Sequence, residues 1–427
     1  MAILTLNAGS SSIKFALFGG AEGGERLLHG SLSRIGASGA TLKCLAADGS
    51  VLSDKAISAV TAADAGAQLI TWLKAQFAKP GLAENGKPVA IGHRIVHGGM
   101  RSLEHQRITT LLLAEMDKAV PLDPAHLPVE LGLIRQCRQQ FAQLPQFACF
   151  DTVFHARLPR VTTMLPLPRR YFDAGVRKYG FHGLSYEFLM AELRRVGDAG
   201  EAKGRVLMAH LGAGASLAAV ADGAPIDTTM AFTPTSGLMM ATRPGDLDAG
   251  VMVYLARGGG IDAGGLDAAA LERLINSQCG LMGVSQTSGD IRDLLAQRKT
   301  DERAAEAVAM FCGSVVRHIG AMAAVMGGID TLIFSGGIGE NSPEIRAEIC
   351  KTLAFLGVTI DAQRNDEGCG VISPGEQSTA VAGGRSVAGG GSVAGVVVRI
   401  VRTDEEAMIA RHVGRLMAES GGGEGGA

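Results

Sequence analysis

The chain has 427 residues, which predicts two or three domains at roughly 150 residues per domain. Its 40 basic and 42 acidic residues leave a formal net charge of −2, so no electrostatic argument favours a nucleic-acid or anionic-membrane partner. With 47% hydrophobic and 19% charged residues the chain is not a disordered one, and its 59 glycines predict many tight turns and close backbone approaches.

The first predicted elements are two strands around a polar turn. Ile3 to Leu6 and Ile13 to Phe18 are apolar runs, and the residues between them are small and polar. Period-2 alternation places Ser10, Ser12 and Lys14 on one face, where hydroxyl and ammonium donors converge. This pattern suits the binding of a nucleotide or an acyl phosphate, and a solvated surface hairpin is the alternative.

Charged residues end the next two predicted strands. Arg94 stands between two histidines after an apolar strand that starts near Val89, where a guanidinium can hold a carboxylate or phosphate bidentately. Asp151 ends the strand that starts at Phe147, and it could hold a metal ion or polarise an acid. His182, between two glycines, could donate to developing negative charge. An internal ion pair, an N-capping aspartate and a loop histidine are the respective structural alternatives.

The strand, turn and strand pattern recurs in the second half of the chain. His210 to Gly214 form a glycine-rich turn between two apolar runs, and Ser335 to Gly339 form another after the strand Thr331 to Phe334. The recurrence indicates a duplicated domain, although glycine-rich hairpins are common. Arg243 lies in a glycine-proline turn, and two arginines from different halves could clamp one anion.

Three helices carry clear sequence signals. Arg303 to Met326 is apolar or small on nearly every side, as expected for a helix buried between layers. Ser342, followed by a proline, predicts a helix N-terminus beside the third glycine turn. The last helix is predicted to begin with a capping box, with Thr403 as N-cap and Glu406 at N3. Glu405 is then free for a Mg²⁺ water, or is only a charge favoured by the helix dipole.

Cysteine spacing and the N-terminal sequence bear on location. The seven cysteines form no CxxC pair and no zinc pattern, so we expect reduced, mostly buried thiols. The N-terminus has no basic segment followed by a long apolar one, and the longest nearly uncharged apolar run, Ile319 to Ile329, is shorter than the ~20 residues of a membrane span. We therefore expect a cytoplasmic protein without a membrane partner. Val381 to Gly395 and the tail Gly421 to Ala427 are predicted to be flexible.

Taken together, these motifs resemble those of the acetate kinase family, in the same order and over essentially the full chain. The matching segments are Asn7 to Lys14, His93 to Gly99, Phe150 to Thr152, Tyr179 to Gly183, Phe232 to Pro234, Gly237 to Asp248, Gly336 to Pro343 and Thr403 to Arg411. The resemblance implies an α/β fold of two duplicated actin-like (ribonuclease H-like) domains with a nucleotide cleft between them. It implies a first domain of residues 1–150 plus a returning helix at about 396–420, and a nucleotide-binding domain of residues 151–395.

The resemblance also implies an activity, namely reversible transfer of the ATP γ-phosphoryl group to acetate or another short-chain carboxylate. Mg²⁺, with Mn²⁺ as an alternative, would be the cofactor, and the enzyme would be a homodimer. Asp151 would be the essential carboxylate, Arg94 and Arg243 would bind the acyl and phosphoryl groups, and His182 would stabilise the transition state. Metal ligands and nucleotide contacts are implied in the same way. The metal ligands would be Asn7 and Glu405, and the nucleotide contacts Lys14, His210, Leu211, Gly212, Ala213, Gly214, Asp290, Ile291, Arg292, Gly337, Ile338, Gly339, Glu340 and Asn341.

Three residues depart from the usual family pattern. Asp123 stands where most members have histidine, although His126 is close by, and Tyr186 also replaces a histidine. Ala213 replaces an asparagine and removes a side-chain donor near the phosphates, so we expect weaker or rearranged nucleotide binding. The alternatives to an acetate kinase are a propionate or butyrate kinase, or a nucleotide-binding relative that has lost catalysis.

Overall fold

The structure is a computed structural model that describes residues 2–9, 12–20, 23–36, 39–59, 61–79, 86–197, 200–258, 264–375 and 395–421. The chain forms two compact units: the first contains the described residues within 1–156, 182–188 and 404–427, and the second those within 157–181 and 189–403. The expected domain limits stay a prediction. Asp151 and His182, which we expected in the second domain, lie in the first compact unit.

Thirteen strands form the two sheets of the described chain. In chain order they are β1 (Ala2–Ala8), β2 (Ser12–Gly19), β3 (Arg26–Ser33), β4 (Thr41–Ala46), β5 (Val51–Ala56), β6 (Pro88–Ile95), β7 (Gln106–Arg107), β8 (Gln146–Phe150), β9 (Arg205–Leu211), β10 (Ala215–Ala221), β11 (Ala224–Thr228), β12 (Thr331–Ser335) and β13 (Val397–Ile400).

Helices connect and cover these strands. They are α1 (Ala62–Phe77), α2 (Thr110–Ala119), α3 (Leu127–Gln140), α4 (Arg160–Thr163), α5 (Arg169–Asp173), α6 (Gly183–Val196), α7 (Ala249–Ala256), α8 (Ala268–Ser277), α9 (Gly280–Ser285), α10 (Ile291–Gln297), α11 (Glu302–Met326), α12 (Gly336–Asn341), α13 (Pro343–Cys350), α14 (Ala362–Glu367) and α15 (Glu405–Gly421). Short 3-10 turns lie at Val120–Leu122, Phe154–Arg157, Glu201–Lys203 and Ala354–Leu356.

Five adjacent strands of the first sheet have the same order as the five strands of the second, which confirms the predicted duplication. The first sheet has the order β5-β4-β3-β2-β1-β6-β8-β7, and the second has the order β11-β10-β9-β12-β13. In each, two strands run parallel to the first strand of an antiparallel hairpin: β6 lies beside β1 and β8 beside β6, and β12 lies beside β9 and β13 beside β12. The fold is therefore α/β with a repeated actin-like topology.

Helices bury both faces of the first sheet near its centre. On one face α1 and α3 form a core with the central strands, in which Leu69 and Leu133 are buried beside Leu4 and Phe15. On the other face α15 packs against β1 and β6. All seven residues of β1 are buried as a result, which explains why five of them are apolar and why apolar and polar residues do not alternate along most of the strand.

In the second unit α11 packs against the sheet and confirms the predicted long helix. Asp301 caps it, and its side chain accepts a hydrogen bond from the Arg303 N–H at 3.0 Å. The helix is not buried on every side as predicted, because Met310 and Val325 are exposed. In the described part of the chain it is the one helix long and apolar enough for a membrane span, yet its Phe311 face lies in the core.

Local details correct three predictions from the sequence. The segment after β12 is not a turn: α12 begins at Gly336, directly after the strand. His210 lies in β9 and not in the turn that follows it. The last helix is capped by Asp404, whose carboxylate accepts from the Ala407 N–H at 3.0 Å, so the predicted cap at Thr403 was wrong by one residue. Asp404 caps the helix in place of Thr403 because a carboxylate is a stronger acceptor at a helix N-terminus than a hydroxyl.

The remaining expectations concern the cysteines and the segments that we predicted to be turns or flexible. All seven cysteines are unpaired, and five of them are buried, as predicted. Ser10 of the predicted first turn, the predicted flexible segment up to residue 394 and the predicted tail after Gly421 lie outside the described residues.

Candidate active site

Three predicted site residues meet at the carboxyl edge of the first sheet. β1, β6 and β8 are adjacent and parallel, so Asn7, Arg94 and Asp151 emerge at the same edge. Arg94 binds Asp151 bidentately, with Nη2 donating to Oδ2 at 2.6 Å and Nε donating to Oδ1 at 3.2 Å. Its Nη1 donates to Asn7 Oδ1 at 3.1 Å. These contacts use three of the five N–H donors of the guanidinium.

Helix α15 brings two further carboxylates to this cluster. Asn7 Nδ2 donates to Glu405 Oε2 at 2.9 Å and to Glu406 Oε1 at 3.3 Å. Glu405 Oε2 also lies 3.9 Å from Arg94 Nε. Asn7 therefore links the arginine to both glutamates, and the first turn of α15 faces the end of β1.

The charges of this cluster are out of balance. Asp151 and Glu405 lie within 3.9 Å of the Arg94 guanidinium, and Glu406 contacts Asn7 and lines a cavity with Lys14. Burial raises the pKa of Asp151, whose side chain is fully buried, while Arg94 opposes the rise. Burial and the neighbouring Glu405 raise the pKa of Glu406. Carboxylate and amide oxygens with excess negative charge are the donor set that Mg²⁺ prefers, so these residues fit the expected metal.

His182 approaches Asp151 through an unusual backbone. Its φ of 58° lies in the left-handed region, which a histidine adopts at a cost of roughly 1–3 kcal/mol. The next residue, Gly183, donates its N–H to the Asp151 carbonyl at 2.9 Å. A Cβ at Gly183 would overlap that carbonyl oxygen, so only glycine fits there. The backbone thus fixes His182 directly beside Asp151.

In the second unit, the three predicted nucleotide segments meet. They line one cavity of about 770 Å³, within the size range of ligand pockets. Gly336 allows this arrangement, since its φ is +76° and a Cβ there would lie 2.7 Å from the Leu211 carbonyl oxygen. The predicted residues at the cavity are Gly212, Ala213, Asp290, Ile291, Arg292, Gly337, Ile338 and Asn341.

Two predicted nucleotide residues bind protein groups instead. Glu340 Oε1 accepts from the Gly336 N–H at 2.9 Å and the Thr403 N–H at 3.1 Å, so its carboxylate holds backbone. Asp290 caps α10 by accepting from the Arg292 N–H at 2.9 Å, and it also forms an ion pair with that arginine. These contacts favour positioning roles for both acids.

The other predicted residues lie as follows. Lys14 is exposed on β2 and lines a cavity of about 300 Å³ with Arg26, Lys43 and Glu406 in the first unit. Arg243, in the second unit, donates from Nη1 to the Pro234 carbonyl at 2.8 Å.

Further predicted nucleotide residues surround the second-unit cavity. His210 and Leu211 end β9, and Gly214 closes the turn by accepting from the Gly212 N–H at 3.0 Å. Gly339 lies within α12, where its carbonyl accepts from a buried arginine at 2.9 Å.

The departures from the family pattern are accommodated in the structure. Asp123 is buried and pairs with His126 Nδ1 at 2.9 Å, so an aspartate and a histidine lie together at this position. Tyr186 is fully buried and packs against the rings of Phe154 and His155. Ala213 lines the second-unit cavity and keeps its carbonyl bonded to the Ala241 N–H at 3.1 Å.

Sequence reasoning missed several buried polar residues near these sites. Glu130 of α3 accepts from the Val96 N–H at 3.1 Å, just beyond Arg94. Glu187 of α6 accepts from two histidines beside Asp151. Arg346 is 1% exposed and donates to the Gly339 carbonyl at 2.9 Å, which holds the end of α12. The one available signal was a charged residue within an otherwise apolar helical face, which is rarely buried without a partner.

Comparisons with known proteins agree with this geometry. The sequence profile described as the Acetokinase family matches residues 2–411. An acetate kinase of Rhodopseudomonas palustris is 40% identical over 97% of this chain and 98% of its own length. The crystal structure of Porphyromonas gingivalis acetate kinase covers 97% of this chain and 99% of its own, with a TM-score of 0.80 at 32% identity. A propionate kinase structure from Francisella tularensis covers 96% and 98%, with a TM-score of 0.83 at 31% identity.

Proposed function

The chain belongs to the acetokinase family of carboxyl-group phosphotransferases, and from this premise we propose that it is an acetate kinase. The reaction is reversible transfer of the ATP γ-phosphoryl group to acetate, which gives acetyl phosphate and ADP. The observation that best supports the proposal is the bidentate Arg94–Asp151 pair at the carboxyl edge of β1, β6 and β8, with Glu405 beside it. An oriented guanidinium among carboxylates suits a reaction between two anions.

Arg94 orients the acceptor and stabilises developing charge. A carboxylate is already a nucleophile, so the site has to position it in line with phosphorus and to neutralise the equatorial oxygens of the transition state. Asp151 and Asn7 hold three donors of Arg94 and leave two for the bound anion. His182 stands next to this cluster, where an N–H donor would act on the same charge.

Asn7, Asp151 and Glu405 are the residues that would hold Mg²⁺, directly or through water. When bound, the ion neutralises phosphate charge and orients the phosphates. A bound divalent ion would also offset the negative charge of Asp151, Glu405 and Glu406. In the second unit, the cavity between Gly212, Asp290 and Gly337 would take ADP or ATP, with glycine backbone amides near the phosphates.

A second candidate acceptor is propionate. The resemblance to the Francisella tularensis propionate kinase structure is as high as that to the acetate kinase structure. Acetate and propionate differ by one methylene, which changes transition-state binding by only ~1–3 kcal/mol in a hydrophobic pocket. The family alone therefore does not separate the two substrates.

A hydroxamate assay for acyl phosphate tests the proposal. Purified protein with ATP and MgCl₂ should yield acyl hydroxamate with acetate at a higher kcat/KM than with propionate or butyrate. Omission of the divalent ion should abolish the product, and MnCl₂ should restore it. A higher kcat/KM with propionate would reassign the substrate, and no product with any of the three acids would favour a binding protein without catalysis.

Assembly and location are proposed on the same basis. We expect a cytoplasmic homodimer, in keeping with the family habit. Light scattering after gel filtration should give twice the chain mass of 44.1 kDa. A mass equal to that of one chain would contradict the dimer.

A further inference from the structure

Two histidines and a glutamate lie together close to the candidate active site, in the first unit. Glu187 Oε2 is 2.6 Å from His412 Nε2 and 3.2 Å from His105 Nε2, and the two imidazole rings are 4.0 Å apart. The three side chains are 17%, 12% and 2% exposed, in that order. By residue type this is a possible zinc site, because a His₂Glu set is a known zinc ligand combination.

The hydrogen bond at His105 Nδ1 argues against a metal ion in this cluster. The Phe150 N–H donates to His105 Nδ1 at 3.1 Å, so Nδ1 is an acceptor and the proton of the neutral ring is on Nε2. A histidine that binds metal through Nε2 normally carries its proton on Nδ1 and donates it to an acceptor. His105 has the opposite arrangement, and its Nε2–H points at Glu187. The cluster is therefore a hydrogen-bonded network around one carboxylate.

Each arm of this network ends on an element that carries a candidate catalytic group. Phe150 directly precedes Asp151 at the end of β8. Glu187 lies in the first turns of α6, which begins immediately after His182. His412 lies seven residues after Glu405 on α15, two helical turns away on the same face. One carboxylate thus connects β8, α6 and α15.

We propose that Glu187 is a positioning residue that holds Asp151, His182 and Glu405 in register for phosphoryl transfer. The inference rests on the proposed function, since it concerns the same site. Glu187 is well suited to the task because its carboxylate accepts two charge-assisted hydrogen bonds away from solvent, and such bonds are short and directional. The histidine hydrogen bonds outweigh the effect of burial and lower the pKa of Glu187 to about 2, so it stays ionised at neutral pH.

The test compares steady-state kinetics of Glu187→Gln, Glu187→Leu and His412→Gln. Displacement of catalytic groups by about 1 Å can lower turnover by ~100-fold, so we expect kcat to fall ~10- to 100-fold in Glu187→Leu and less in Glu187→Gln, which keeps one acceptor oxygen. The KM for ATP should stay within about twofold of wild type, because the proposed nucleotide cavity is in the second unit. Glu192→Gln, on the same helix and paired with Arg195, is the control for loss of a charge.

Other outcomes would overturn the inference. Unchanged kcat in Glu187→Gln and His412→Gln, with an active wild type, would show that the network positions nothing. Equal losses in kcat, ATP affinity and melting temperature would show general destabilisation instead. If Glu187→Leu does not fold, the two glutamine variants decide. Stoichiometric binding of Zn²⁺ by the wild type that Glu187→Gln abolishes would identify a metal site. An inactive wild type would instead count against the proposed function.

Discussion

At the scale of single residues, the candidate site depends on one buried ion pair. Asp151 is fully buried and Arg94 is 16% exposed, so each is the main compensation for the charge of the other. Removal of one partner of such a pair leaves an uncompensated buried charge and costs about 3–5 kcal/mol. We therefore expect Arg94 to contribute to stability as well as to the proposed reaction, unlike an arginine that only contacts substrate.

Arg94→Ala should both abolish turnover and lower the melting temperature, whereas Arg94→Lys should keep most of the stability and still lose most of the turnover. Lysine retains the charge but not the planar fork that binds Asp151 with two N–H groups. Hydroxamate formation and thermal unfolding of the two variants measure the two effects. A lysine variant with near wild-type kcat would contradict the positioning argument.

Gly183→Ala should reduce kcat strongly with a destabilisation of about 1–3 kcal/mol. The added methyl overlaps the Asp151 carbonyl, which is backbone and cannot rotate away, so the Asp151 and His182 segments must separate. Gly132→Ala is the matched control, because a Cβ there meets no atom within 4 Å and should stabilise α3 slightly. Similar kinetics for both variants would contradict the close approach at Gly183.

At the scale of elements, the sequence predicted the strands better than the first residues of the helices. Apolar runs on either side of small polar residues indicated both hairpins, and these are β1 with β2 and β9 with β10. The start of α15 was misplaced because Thr403 and Asp404 are adjacent and both good caps, and the prediction chose the hydroxyl over the stronger carboxylate acceptor. The glycines at the start of α12 read as a turn, because their close approach to Leu211 has no local signature.

Gly92→Ala should weaken the docking of α15 on the first sheet. A Cβ at Gly92 would overlap the Ile409 side chain and lie 2.7 Å from Val413 Cγ2, both fully buried, so overpacking should cost about 1–3 kcal/mol. Since α15 carries Glu405, the Mg²⁺ concentration needed for half-maximal activity should rise. Denaturant unfolding and a Mg²⁺ titration measure the two effects, with Gly320→Ala in α11 as control. An unchanged Mg²⁺ requirement would show that the docking of α15 does not affect the proposed metal site.

At the scale of the whole molecule, the family motifs predicted most residues of the candidate site. They did not predict the network of Glu187, His105 and His412. Arg94, Asp151, Asn7 and Glu405 come from strand ends and a helix start, where polar residues after apolar runs are visible in the sequence. Glu187 belongs to a helical segment whose burial depends on the distant α15. No local pattern reports such a contact, so the network could be found only from the fold.

Stability of the whole chain should depend on the protonation of Glu130. Burial raises the pKa of Glu130 from 4.5 to about 8, and Arg94 opposes the rise. Between these values the folded state keeps a proton that the unfolded state releases. The free energy of unfolding should therefore fall as the pH rises from about 5 to about 8, by up to about 1.4 kcal/mol per pH unit.

Glu130→Gln should flatten this dependence, because the amide is neutral at every pH and still accepts from the Val96 N–H. Urea unfolding at several pH values measures the slope. Glu115→Gln, in α2, should keep the wild-type slope over the same range, because the ion pair with Lys118 lowers the pKa of the half-buried Glu115 and so moves its titration below this range. Equal slopes for wild type and Glu130→Gln would show that this carboxylate is ionised in the folded protein.

The return of α15 to the first unit sets an order of events during protein synthesis. The ribosome completes every strand of the first sheet by Phe150, yet it makes Glu405 only after the residues of the second unit. Until then α15 does not cover the face of the first sheet at Gly92. Asn7 and Arg94 also lack Glu405 and Glu406 as neighbours. A chain interrupted within the second unit thus has a full set of strands in its first sheet and an incomplete donor set. If Glu405 holds the metal ion as proposed, we expect that unfinished chains do not consume ATP.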